Sequence, residues 1–355
     1  MALLHQMAPS NPEDIHMVRP QMGDAPEGGP SEASGLTSDL PGNTHARYPD
    51  RQDDREETAT STDVVCVGEA LWDLSTPTGM SLDDATALSL SPGGGAVNVA
   101  LTLAELGLRA GLVAAVGDDP VGRALIAHVT RRGVDVSRVR TTSAIRTGLV
   151  FLTHAPLRAV SYRAVLKEAL ALRDALPRSF DTKVVHISGL LPSRAGLLAL
   201  ERAARQARSE GARVTLDANL RPRLWAGDAI KRADPRRLFT VVDVLKVSED
   251  DLRLLGLSDP RDLTPVLRPE AVVVATFGAA KTRALGPFGE VRAGGPALAV
   301  ESTIGAGDAF VAGLLSVLAR EERGEHLDRA TIERAIQRGN EVARQSLSGQ
   351  SLVVK

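Results

Sequence analysis

Cysteine and aromatic residues are scarce: Cys66 is the only cysteine among 355 residues, and Phe, Trp and Tyr together make up 3%. A single thiol excludes an intramolecular disulfide and any cysteine-cluster metal site. It also fits a reducing compartment, so a cytoplasmic location is expected. With so few rings, the core must be aliphatic. Charge of one sign is not in excess either, since 42 basic side chains face 44 acidic ones for a net −2. Surfaces that bind polyanions are usually basic, which argues against a nucleic-acid partner. No run of about 18 uncharged apolar residues occurs, so no membrane-spanning helix and no membrane partner are expected. Residues 1–5 lack a basic segment followed by an apolar run, so no secretory signal is expected.

What is present divides in two. Residues 1–61 hold seven prolines, one aromatic residue (Tyr48), 11 acidic and 4 basic side chains, about −7 in charge. Such a segment buries too little apolar surface to offset chain entropy and reads as a disordered tail. From residue 62 onward, short apolar runs that do not alternate are separated by amphipathic stretches. Strands are expected at 64–67, 112–116, 184–187, 214–216, 241–247 and 271–276. Helices are expected at 98–106, 122–132, 193–210, 307–320 and 328–347, several of them stopped by glycine (Gly107, Gly133, Gly211). This rhythm implies an α/β fold, a mostly parallel sheet covered on both faces. Segments 71–90 and 147–165 break it and read as a small β appendage with a turn at Pro156.

The most informative stretch is Ser302-Thr-Ile-Gly-Ala-Gly-Asp-Ala-Phe310, which opens an apolar helix. Gly305 and Gly307, with Ala306 between them, leave backbone N–H groups uncovered at a helix start, where the dipole also favours an anion. Asp308 would stand beside that anion. A carboxylate there is a poor binder of phosphate, but it can accept a proton from an attacking hydroxyl, which points to phosphoryl transfer to an alcohol. The plain alternative is a glycine turn followed by a capping aspartate. A second run, Pro92-Gly-Gly-Gly-Ala-Val-Asn98, could cradle a phosphate or let a polar ligand approach the backbone, with Asn98 aimed at it. Ser248-Glu-Asp-Asp251 reads as a capping box, and His186 as a satisfied core histidine.

Both runs, with Val116-Gly-Asp-Asp-Pro-Val-Gly122, resemble the two signatures of the ribokinase-like (phosphofructokinase B) carbohydrate kinases, in order, over about residues 62–355. Gly68-Glu-Ala-Leu-Trp-Asp73, Asp217-Ala-Asn-Leu-Arg-Pro-Arg-Leu-Trp225 and Lys246-Val-Ser248 are similar to the fructokinase branch. The Gly-Gly-Lys-Gly-Ala-Asn pattern of ribokinases is absent. The resemblance implies a three-layer α/β/α domain with a β-sheet lid and an ATP-dependent sugar kinase that uses Mg²⁺. It implies Asp308 as base, with the amides of Gly305, Ala306 and Gly307 holding charge. Asp73, Gly94, Asn98 and Arg163 would hold the sugar, and Thr276, Gly278, Gly305, Gly307 and Asn340 the ATP. Glu249 and Asp251 would meet Mg²⁺ through water. Ser302 replaces the family's usual aspartate, which leaves a monovalent cation an open question, and a homodimer through the lid is a further option. The alternatives are another sugar, a nucleoside, or an idle ligand-binding member of the fold.

Overall fold

The computed structural model describes residues 61–154, 157–189, 193–221, 234–278, 281–294 and 305–348. The expected tail lies outside them apart from Ser61, as do Pro156, Trp225 and Ser302. Along the chain run β1 (Thr62–Gly68), β2 (Leu71–Ser75), β3 (Ser89–Gly93), α1 (Gly95–Glu105), β4 (Ala110–Gly117), α2 (Pro120–Arg131) and β5 (Val139–Thr142). There follow β6 (Gly148–His154), β7 (Leu157–Tyr162), α3 (Val165–Ala175), β8 (Thr182–Ser188), α4 (Arg194–Ser209), β9 (Arg213–Asp217) and α5 (Arg236–Phe239). The chain continues with β10 (Val244–Ser248), α6 (Glu249–Leu254), β11 (Val272–Phe277), β12 (Lys281–Gly286), β13 (Gly289–Gly294), α7 (Ala306–Leu318) and α8 (Arg329–Leu347).

Among the described residues, nine strands form one sheet in the order β13-β12-β11-β10-β9-β8-β1-β4-β5. From β11 to β5 every pairing is parallel; β12 and β13 add an antiparallel edge. Side chains alternate between the faces of a strand, and β1 shows both layers. Val64 and Cys66 pack with residues of α1, α7 and α8, whereas Val65 and Val67 pack with residues of α3, α4 and α5. The core is aliphatic as expected, with Phe180, Phe239 and Phe310 among its few rings.

The two segments that broke the rhythm, with β3 running on to Gly93, hold a second sheet, β3-β2-β6-β7. Trp72 ties it to α2: its indole N–H donates to the Val121 carbonyl at 3.0 Å, and its ring meets His128 edge-on. The strand expected at 241–247 begins only at Val244. Val241 and Val242 are buried in a turn after α5, because the Asp243 carboxylate accepts the Val214 N–H there and carries the chain into β10. The β12–β13 hairpin and α3 went unforeseen, since neither has a long apolar run to mark it.

Candidate active site

Parallel register lines up polar side chains at the carboxyl ends of the central strands, the edge where ligands bind in such sheets. Gly68, Ser188, Asp217 and Lys246 pair in sequence across β1, β8, β9 and β10, and Ser248 pairs with Thr276 one strand further. Above this edge two helices begin with glycine. Gly94 precedes α1 at φ 94°, and a β-carbon there would lie 2.3 Å from the Glu69 carbonyl oxygen, so no other residue fits. Gly305 precedes α7 at φ 81°. Neither helix has a side-chain cap, so their first N–H groups keep no partner from a capping residue.

The two helix starts meet through one hydrogen bond: Asn98 Nδ2 donates to Asp308 Oδ2 at 2.8 Å. Gly95 lies between Ser188 and Asp308, and a β-carbon there would stand 3.3 Å from Asp308 Oδ1. Asp308 is half-buried. Burial pushes its carboxyl above the usual carboxylate range; the Asn98 bond, Lys246 and Arg221 pull it back, and Asp73 adds to the rise. Asp73, on β2 of the small sheet, is pushed up to about 6 by burial and then by Glu69, against Arg163.

Beneath these groups lies a buried ion pair. Lys246 Nζ donates to Asp217 Oδ2 at 3.2 Å and stands 3.2 Å from Oδ1. Burial pushes the Asp217 carboxyl up to about 6 against the pull of Lys246. Burial works against the Lys246 ammonium too, but Asp217, Asp251 and Asp308 outweigh it and hold it above the ordinary lysine range. His186 is buried with Nδ1 2.9 Å from Thr215 Oγ1, while its Nε2 has no partner among the described residues. Its expected satisfaction is therefore half complete. Burial, then Lys246, lowers it to about 3 and keeps it neutral.

Arg163 is neither exposed nor free. Its guanidinium is buried between Glu69, reached through Nη1 at 2.9 Å, and Glu168, reached through Nε at 2.8 Å and through Nη2. Thus Arg163 joins the start of α3 to the β1–β2 junction. On the metal side, Asp251 does form the expected capping box. Its Oδ1 accepts from the Leu220 N–H at 2.7 Å, and its Oδ2 accepts from the Ser248 N–H and Oγ, each at 2.7 Å. Glu249 is exposed, 3.5 Å from Arg253. No group of three His, Cys, Asp or Glu among the described residues could hold a metal directly.

The remaining candidates gather elsewhere on the same edge. Thr276 pairs across the ladder with Thr282, whose hydroxyl donates to Asn340 Oδ1 at 2.9 Å. Asn340 Nδ2 is buried with no partner among the described residues, and Gly278 turns the chain after β11 at φ 62°. Sequence reasoning assigned no role to Glu69, Ser188, Arg221 or Lys246. Lys246 carried a usable signal, a lone charge inside the otherwise apolar run of β10, because buried lysines are rare unless paired.

Comparison with known proteins decides the family. The pfkB family carbohydrate kinase profile matches residues 61–353. The chain belongs to the pfkB family of carbohydrate kinases. It is therefore an enzyme that transfers a phosphoryl group to an alcohol. Among its relatives in the pfkB family, probable fructokinase-7 of Arabidopsis thaliana is 33% identical over 73% of this chain and 79% of its own. The 2-dehydro-3-deoxygluconokinase of Thermoproteus tenax is 32% identical over 72% and 81%. In structure the chain is similar to aminoimidazole riboside kinase from Salmonella enterica, solved with aminoimidazole riboside and an ATP analog. There the TM-score is 0.66 at 26% identity, over 80% of this chain and 93% of that one. The central sheet with helices on both faces and a small separate sheet is the ribokinase-like architecture.

Proposed function

We propose that this pfkB-family kinase transfers the γ-phosphoryl group of ATP to a primary hydroxyl of a neutral sugar, with fructose the leading substrate. The observation that carries the reading is the Asp308 carboxylate, held by Asn98 where two glycine-started helices converge and electrostatically coupled to Asp73 on the small sheet. Asp73 and Asn98 hold sugar hydroxyls near the Gly94 turn. Asp308 takes the proton of the reacting hydroxyl as its oxygen bonds to the γ-phosphorus. The bond from that phosphorus to its bridging oxygen breaks, and ADP leaves with the electron pair. The amides of Gly305, Ala306 and Gly307 receive the charge that grows on the phosphoryl oxygens. The nucleotide lies toward Thr276, Gly278 and Asn340. Glu249 and Asp251 would hold Mg²⁺ through water, and the ion would neutralise phosphate charge.

The choice of a neutral substrate has its own basis. At the sugar end Arg163 is committed to two carboxylates, Glu69 and Glu168, and Asp73 adds negative charge. Such a site repels an acid sugar. Arg163 then acts as a clamp on Glu69, which in turn fixes the carbonyl against Gly94, rather than touching substrate. A homodimer through the small sheet belongs to this reading, supported by Leu90, Val160 and Tyr162, which it leaves exposed. A cytoplasmic location suits ATP as donor. The test is ATP consumption with fructose, 2-dehydro-3-deoxygluconate and a nucleoside offered separately. Fructose is expected to give the highest kcat/KM. Turnover confined to the acid sugar or the nucleoside would overturn the substrate, and turnover on none of a wide sugar panel would favour an idle binding role.

A further inference from the structure

We propose that Lys246 is a positioning residue: its buried ammonium, lodged between Asp217 and the first turn of α7, keeps Asp308 ionised and ready to accept a proton. The inference rests on the reading of Asp308 as base.

The geometry starts from β10, whose other residues are apolar or face the edge, and which buries a lysine at 8% exposure. An isolated ammonium in that position would be costly. Asp217, on the neighbouring strand β9, meets it at 3.2 Å. The stem carries Nζ up to α7, where a β-carbon on Gly307 would sit 3.7 Å from it, one residue before Asp308. Besides Asp217 on β9, which it touches, the titratable groups coupled electrostatically to this ammonium are His186 on β8, Asp251 on α6 and Asp308 on α7. His186 stays neutral and adds no charge. Asp251 spends both oxygens on hydrogen bonds from Leu220 and Ser248. Asp308 itself is faced by Lys246 and Arg221 on the positive side, by Asp73 on the negative side, and by the neutral Asn98 amide.

The arrangement solves a conflict. Burial is what makes a carboxylate a stronger base, but it also favours the protonated form, which cannot accept a proton. A fixed positive charge below the helix start restores ionisation without occupying the oxygen that meets substrate. Asp217 tempers that charge: both of its oxygens stand 3.2 Å from Nζ, and Oδ1 takes no hydrogen bond from a described residue.

Two variants in the full-length enzyme read this out through the pH dependence of kcat/KM. In Lys246→Met the acid limb is expected to move to higher pH, so that the ratio of activity at pH 8 to that at pH 6 rises about tenfold above wild type. Asp217→Asn removes a competing negative charge and is expected to move the limb the opposite way. Lys246→Arg, which keeps the charge, should restore a profile close to wild type. A Lys246→Met enzyme that is slower at every pH by one constant factor, with an unmoved limb, would overturn the proposal. Should Lys246→Met fail to fold, Asp217→Asn decides: a limb shifted down supports the proposal, and an unmoved one overturns it. The failures are separable. Full activity in Asp308→Asn removes the base itself, whereas an inactive Asp308→Asn with unmoved limbs in the other two variants removes only the role of Lys246.

Discussion

Two kinds of helix start stand side by side in this molecule. Helices α2, α4, α6 and α8 begin with Asp119, Ser193, Ser248 and Asp328, each of which accepts a backbone N–H of its own first turn. Helices α1 and α7 begin with Gly94 and Gly305 at positive φ and have no such cap. A capping side chain stabilises a helix by about 1 kcal/mol. The glycine starts forgo that contribution and leave their donors for something from outside. Helices α3 and α5 also lack a side-chain cap, at Ala164 and Pro235, but only the two glycine starts are joined by the Asn98–Asp308 bond. The capped starts stabilise their helices, and in the proposed reaction the glycine pair faces the phosphoryl group.

The sharpest way to break this contrast is at the uncapped pair. Asp308→Asn keeps the size of the side chain, and loss of a buried charge should leave the fold standing. It cannot take a proton, so kcat should fall by about 10²–10⁴ while ATP affinity, measured by calorimetry, stays near wild type. A folded variant with wild-type kcat would reject the assignment of Asp308.

A smaller effect is expected from the turn itself. A β-carbon on Gly305 would meet nothing within 4 Å, so Gly305→Ala tests backbone conformation without a clash. Holding alanine at φ 81° costs about 1–3 kcal/mol. The helix start should relax and turn its amides away from the phosphoryl group, lowering kcat about tenfold with a reduced melting temperature. Lower stability with unchanged kcat would show that these amides do not receive charge.

Much of this was legible in the residues. Glycine before an apolar helix marks an uncapped start, and Asp308 beside one is a chemically odd choice that asks for a reason. The Ser248–Asp251 capping box and the Ser193 cap could be read directly, because caps are local. What resisted reading was partnership across the chain. Arg163 reads as a sugar contact because one of its two carboxylate partners, Glu69, is 94 residues away. Lys246 and Asp217 sit on neighbouring strands 29 residues apart, and only strand order brings them together. Val241 and Val242 read as strand because burial in a turn and burial in a sheet leave the same apolar trace.

Asp73 extends the contrast to the small sheet. Asp73→Asn should raise the KM for sugar about tenfold, the loss of one charge-assisted hydrogen bond, and leave that for ATP unchanged. Its effect on stability has a definite sign. The carboxyl is raised from 3.8 to about 6 in the fold, so the folded state binds more protons than the unfolded one between those values. Stability falls as pH rises through that window, and the full penalty holds above pH 6. The variant should therefore melt higher than wild type at pH 7.5 and match it near pH 4. His186 works in the opposite direction: lowered from 6.5 to about 3, it contributes stability above pH 6.5 that is lost on acidification, in both proteins alike. A variant that melts lower than wild type at pH 7.5 would make Asp73 a structural residue.

The smallest effect belongs to the capped class and serves as its control. Ser193 Oγ accepts the Gly196 N–H at 3.0 Å, and α4 buries Leu197 and Leu200 behind that start. Removing the hydroxyl in Ser193→Ala leaves a first-turn donor to water and should cost about 1 kcal/mol. Ser193→Gly, which opens the helix end to solvent, should cost only a few tenths, so the two variants together separate a cap from a packing contact. Because α4 packs on the opposite side of the sheet from α1 and α7, neither variant should alter kcat or either KM at a temperature well below melting. Chemical denaturation gives the stability difference, and steady-state kinetics on the same samples gives the rest. A drop in kcat as large as that of Gly305→Ala would mean that the start of α4 also faces the reaction, and the division between capped and uncapped helices would lose its functional meaning.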